Sequence, residues 1–171
     1  MEILRFFRTR VSLSSVRYNV LGSLIIKTYD FMRELRESGI TVISGFHSPI
    51  ERECLNVLLR KKQPIIICPA RSIEGMRIKS EYKRPIEEGH LLLLSPFDKK
   101  HHRISSDLAD KRNAFVAAIA DEILVPYAAP GSKTEALCRE WINRGKTVRT
   151  FDSSYNKYLL KLGIKIICGN H

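Results

Sequence analysis

The chain has 171 residues, 44% of them hydrophobic and 27% charged. That is one ordinary domain, large enough to fold round its own core without disulfide or metal staples, and it excludes collagen-like, mostly disordered and disulfide-scaffold chains. With 29 Lys and Arg against 18 Asp and Glu the net charge is +11, a surplus that suits nucleic acid, nucleotides or another polyanionic surface.

Taken in chain order, Glu2–Phe7 is a short apolar run that reads as a first strand, and Arg8–Asn19 as a polar loop. The N-terminus lacks the apolar core and small-residue cleavage site of a signal peptide. Gly22–Ser38 carries apolar residues at 25, 28, 32 and 35, a helical spacing closed by Gly39. Ile40–Ser44 is a second strand. Ser48-Pro49-Ile50-Glu51 then sets Ser at the N-cap, Pro at the first helical position and Glu at the third, a capping box for a helix running to about Lys62.

Pro64–Cys68 is continuously apolar, as suits a strand buried on both faces. A turn and a short helix around Ser80–Glu88 lead to a strand at Leu91–Ser95. Asp107–Ala120 reads as a helix with Leu108, Phe115 and Ile119 on one side. Glu122–Tyr127 is a strand, Pro130-Gly131 a turn, and Ser132–Arg144 a helix with a second Ser/Glu box at Ser132 and Glu135. Lys146–Phe151, Asn156–Leu162 and Lys165–Cys168 follow as strand, short helix and last strand. About seven strands alternate with helices over a single domain, residues 1–171. Such alternation gives an α/β fold: a doubly wound, mainly parallel, Rossmann-like sheet with helices on both faces.

Cys54, Cys68, Cys138 and Cys168 form no CxxC pair, so they read as buried, reduced thiols of a cytoplasmic protein rather than zinc ligands. His101-His102 has no spaced acidic partners and reads as part of a basic loop, Lys99–Arg103, to which no role is assigned. No metal, cofactor or membrane partner is expected, since no apolar run approaches the roughly 20 residues of a membrane span.

Ligands of open α/β sheets bind beyond the carboxyl ends of the strands. Four segments are expected there: Arg8-Thr9-Arg10 with the serines after it, Ser44-Gly45-Phe46-His47-Ser48, Arg112-Asn113 at a helix start, and Pro130-Gly131-Ser132-Lys133-Thr134-Glu135. Two feed capped helix N-termini, whose free N–H groups and positive dipole end favour phosphate. Gly45 and Gly131 let the backbone approach a ligand, and Lys133 adds a charge. Neither the GxxxxGK[ST] nor the GxGxxG spacing is present. Phe46 or Tyr127 could stack a base. Each feature also has a bland account: a helix cap for Glu135, core for Tyr127 and Trp141, and a loop histidine for His47.

At these residues the chain resembles the DprA/Smf family of DNA-processing proteins. The likeness rests on Ile43–His47 with its following helix, on Arg112-Asn113 before the strand Glu122–Tyr127, and on Gly131–Ala136. It spans roughly residues 40–152. Cys68-Pro69-Ala70-Arg71 through Glu74-Gly75-Met76-Arg77 resembles a short subgroup with a single Rossmann domain. The resemblance implies a Rossmann core of the SLOG type, related to the lysine-decarboxylase-like (LOG) hydrolases of nucleoside monophosphates. It implies single-stranded DNA or a nucleotide as ligand, with a recombinase and a second copy of the chain as further partners. On the DprA-like reading the protein is not an enzyme. Phosphates lie on the amides of Gly45–Ser48 and Gly131–Thr134, and Arg8, Arg10, Arg112 and Lys133 neutralise them. On the alternatives it senses a nucleotide, or cleaves a glycosidic bond with Glu135 and Arg112, or serves as an interaction module. Its loop lacks the second and third glycines of the LOG pattern, and Glu135 directly follows Thr134.

Overall fold

A computed structural model describes residues 3–6 and 17–167. Seven strands form one sheet in the order β4-β3-β2-β1-β5-β6-β7, and every neighbouring pair is parallel. The strands are β1 (Ile3–Phe6), β2 (Thr41–Ser44), β3 (Ile65–Ile67), β4 (Leu91–Leu93), β5 (Glu122–Leu124), β6 (Thr147–Thr150) and β7 (Lys165–Ile166). The helices are α1 (Arg17–Leu35), α2 (Pro49–Leu58), α3 (Ser80–Glu87), α4 (Ser106–Ile119), α5 (Lys133–Asn143) and α6 (Lys157–Lys161). The doubly wound, Rossmann-like arrangement expected from the alternation is therefore present.

The pleat explains which side chain meets which helix. Successive strand residues point to opposite faces. Val42, Ile65, Ile67 and Leu124 join a core with Met32 and Leu35 of α1 and Cys54, Leu55 and Leu58 of α2. Their neighbours Ile43 and Ile66 meet Val116 of α4, and Ile123 and Val148 meet Cys138 and Trp141 of α5 and Leu159 of α6. Helices α1–α3 thus cover one face, and α4–α6 the other. Burial on both sides is why β3 reads as an unbroken apolar run, and every residue of β2 is buried as well, whereas the edge strand β7 is exposed.

Two boundaries and one buried face differ from the sequence reading. Helix α1 begins at Arg17, inside the segment expected as loop, and runs through Gly22. Helix α4 turns a different face inward: Leu108, Arg112, Val116 and Ala117 are buried, while Ile119 is 37% exposed. Strand β5 stops at Leu124, so Tyr127 lies in the loop beyond it, packed against the first core. Cys54, Cys68 and Cys138 are buried and in no disulfide among the described residues; Cys168 lies outside the described residues.

Candidate functional site

Strand β1 sits at the topological switch point, with β2 on one side and β5 on the other. In such sheets the ligand crevice opens outside the strands' carboxyl ends. Arg8 and Arg10, expected on the β1 loop, lie outside the described residues.

The turn after β2 is built on Glu51. Ser48 Oγ accepts from the Glu51 amide at 3.2 Å, and the Glu51 carboxylate accepts from the Ser48 amide at 2.9 Å. The capping box is complete. The other Glu51 oxygen accepts from Ser44 Oγ at 2.9 Å. Ser44 and Ser48 are therefore structural at their hydroxyls. Phe46 adopts φ of 48°, a left-handed value that a bulky non-glycine residue rarely takes. Its ring is 6% exposed and belongs to the core. It therefore does not present the stacking face that an aromatic at a strand end leads one to expect.

Arg112 lies in the second turn of α4, not at the helix start, which Ser105 caps. Its guanidinium is buried across Gly45: a Cβ on Gly45 would meet Arg112 Nη1 at 1.4 Å. Nη1 donates to the Cys68 carbonyl at 2.8 Å and Nε to Asn113 Oδ1 at 3.0 Å. Arg112, braced by Asn113, thus ties α4 to the ends of β2 and β3. No carboxylate among the described residues lies within 4 Å of Arg112, although Glu51 is near enough to favour its charge; burial lowers its pKa.

His47 is close enough to this arginine to feel its charge. Its Nε2 is buried and has no hydrogen-bond partner. Burial lowers the imidazole pKa, and Arg112, Arg52 and Arg71 lower it further, opposed by Glu51. Burial and the nearby guanidinium groups thus favour the neutral ring, with Glu51 opposing them. Sequence reasoning overlooked Arg52 and Arg71. Arg52 had a signal: a cation in the first turn of α2, where the helix dipole favours an anion. Arg71 had none, because its electrostatic reach to His47 depends on the β2–β3 pairing.

The loop after β5 is more self-contained. Ser132 caps α5 and accepts from the Glu135 amide at 3.2 Å. Glu135 does not return the bond to Ser132 as in a full box. Its carboxylate accepts from the Gly131 amide at 2.6 Å and from Arg139 Nε and Nη2 at 3.0 and 2.7 Å. The Gly131 bond, then Arg139, hold its pKa below the usual carboxylate value. Gly131 takes φ of 72°, the left-handed conformation that makes this close return possible. Lys133 pairs with Asp110 at 2.5 Å, Thr134 is buried, and Pro130 is exposed. Asn156, also unforeseen, ties this rim together: its Nδ2 donates to Pro126 O, Thr150 Oγ1 and Phe151 O at 2.8–3.1 Å. The Gly45–Ser48 turn, Arg112 and Asn113 thus share one locus beside β2 and β3, and the residues from Pro130 to Glu135 form a second cap on the other side of β1.

The sequence matches no protein-family model and no curated protein. Solved structures do match in three dimensions. DNA processing protein A (DprA) of Streptococcus pneumoniae superposes with a TM-score of 0.70 at 14% identity, over 97% of this chain and 58% of that one. DprA of Helicobacter pylori, described for its single-stranded DNA binding mode, gives 0.69 at 19%, over 99% of this chain and 76% of that one. The molybdenum cofactor carrier protein of Chlamydomonas reinhardtii gives 0.62 at 10%, over 98% and 89%. This chain spans little more than half the length of the S. pneumoniae protein. At these identities the likeness is one of architecture, and the chain has the Rossmann-like fold of the DprA structures.

Proposed function

We propose that the protein binds single-stranded DNA at the carboxyl rim of its sheet, without catalysing a reaction on it. The observation that carries this reading is at the end of β2: His47 Nε2 is buried with no hydrogen-bond partner, and Arg112, Arg52 and Arg71 act on it electrostatically, with Glu51 opposing them. Such a set of cations stabilises an approaching phosphate and gains affinity by releasing counterions. The two DprA folds agree with it, one of them described for binding single-stranded DNA.

Glycosidic hydrolysis is disfavoured by Glu135. A nucleophile or general base needs a carboxylate facing the substrate. Here one oxygen is held by the Gly131 amide and the other by Arg139.

The test is fluorescence anisotropy of a labelled oligo(dT) of about 30 nucleotides over a salt series, with AMP and duplex DNA as competitors. The expected result is binding that weakens log-linearly with salt, resists AMP, prefers the single strand and survives Glu135→Gln. No binding at low salt overturns the proposal, and displacement by AMP turns it into a nucleotide pocket.

A further inference from the structure

The rim is asymmetric in its spare charge. Beyond β5 the cations are already matched: Lys133 with Asp110 at 2.5 Å, Arg139 with Glu135 at 2.7 Å. Beyond β2, β3 and β4 several are not. No carboxylate among the described residues lies within 4 Å of Arg52, Arg71, Lys99 or Arg103. In the β4 loop, Asp98 is spent on Lys100 at 3.2 Å and on His101 at 2.7 Å. Lys99 and Arg103 are left exposed on either side.

This basic loop is held beside Arg71. The Ser72 amide donates to the His101 carbonyl at 2.8 Å, and Ser95 Oγ donates to the Arg71 carbonyl at 2.7 Å. The Phe97 ring lies against His101, with centroids 5.8 Å apart. The loops after β3 and β4 are thus stitched into one ledge. Neighbouring strands lie about 4.8 Å apart, so the ledge carries the cationic locus roughly 10 Å from the end of β2 towards the sheet edge.

Resting on the reading of a single-strand binder, we propose that the strand leaves the His47 locus over Arg71 and runs along the Lys99–Arg103 loop. On this path it moves away from the β1/β5 crevice that Rossmann folds ordinarily use. The ligand is then a polymer: separate, unmatched cations on successive loops serve several phosphates, where a mononucleotide would use one or two.

The experiment compares wild type with the double variant Lys99→Gln, Arg103→Gln, reading the salt dependence of oligo(dT) affinity. Both side chains are exposed, so the variant is expected to melt like wild type. The slope of log affinity against log salt falls by about 0.7 for each lost phosphate contact, about 1.4 for the pair. A control, Lys161→Gln with Lys165→Gln, removes two exposed cations at the opposite end of the sheet and leaves the slope in place. If wild type binds and the double variant keeps its slope, or the control loses as much, the path is wrong while the binding reading stands. If wild type fails to bind the oligonucleotide at low salt, both fall.

Discussion

Gly45 and Arg112 are a single device made of two residues. Gly45 needs no left-handed backbone; it needs only to lack a side chain, because the guanidinium of Arg112 occupies the space where a Cβ would stand. Gly45→Ala therefore expels Arg112 from the Cys68 carbonyl and is expected to cost about 1–3 kcal/mol, the usual range for overpacking. In an Arg112→Ala background the same glycine change should cost little. A double-mutant cycle by urea denaturation is the check, with a coupling of about 0.5–3 kcal/mol expected for residues in such contact. His47 supports a second prediction. Its folded pKa lies below its unfolded value of 6.5. Between the two, the unfolded chain holds the extra proton, so stability falls as pH drops below about 6.5 and continues to fall until the folded pKa is reached. His47→Gln should flatten that stretch of the stability–pH curve, measured by denaturation at several pH values.

Helices show how far patterning reaches and where it stops. The Ser48–Glu51 box and the Ser132 cap were legible because capping is local chemistry with fixed spacing. The inward face of α4 was not. A hydrophobic stripe through Leu108, Phe115 and Ile119 leaves out Arg112, yet the true stripe runs through Leu108, Arg112 and Val116 at intervals of four. A charged residue on the inner face rotated the expected stripe, and it is the residue that ties the helix to the site. The start of α1 was missed because Gly22 reads as a boundary, whereas the helix continues through it. The Glu135 carboxylate was placed on the right turn, but its partners Gly131 and Arg139 depend on backbone geometry that spacing does not carry. At this scale the central helix pair gives a direct test. Leu58 on α2 is fully buried, and Leu58→Ala should cost about 2–5 kcal/mol by denaturant unfolding. Ile26 on α1 is 61% exposed, and Ile26→Ala should change stability by no more than about 0.5 kcal/mol.

For the whole molecule the charge of +11 and the fold pull in different directions. Cations without partners line the rim beyond β2–β4, and like charges held close together destabilise a compact chain. Added salt screens that repulsion, with a Debye length of about 10 Å at 0.1 M. The melting temperature should therefore rise as sodium chloride increases from about 50 to 200 mM, while affinity for a single strand falls over the same range. Differential scanning fluorimetry beside the anisotropy series checks both signs in one buffer set. The parallel sheet itself was legible: short apolar runs alternating with helical periods leave little else for the chain to build. The direction of the unmatched charge was not, because it depends on which carboxylate each lysine and arginine meets in three dimensions.

The three buried thiols make the molecule its own clock. Cys54, Cys68 and Cys138 each have no exposed surface, and burial, with Glu51 and Glu53 nearby, pushes the Cys54 thiol up to about 12. Reagents that attack thiolates reach such groups only when the chain opens. The thiols are distributed: Cys54 on α2, Cys68 at the end of β3, Cys138 on α5. With Cys168 changed to serine, their separate rates of alkylation would time the opening of the two helical layers independently. A bound polyanion that braces only the β2–β4 half of the rim would then slow Cys54 and Cys68 before it slows Cys138.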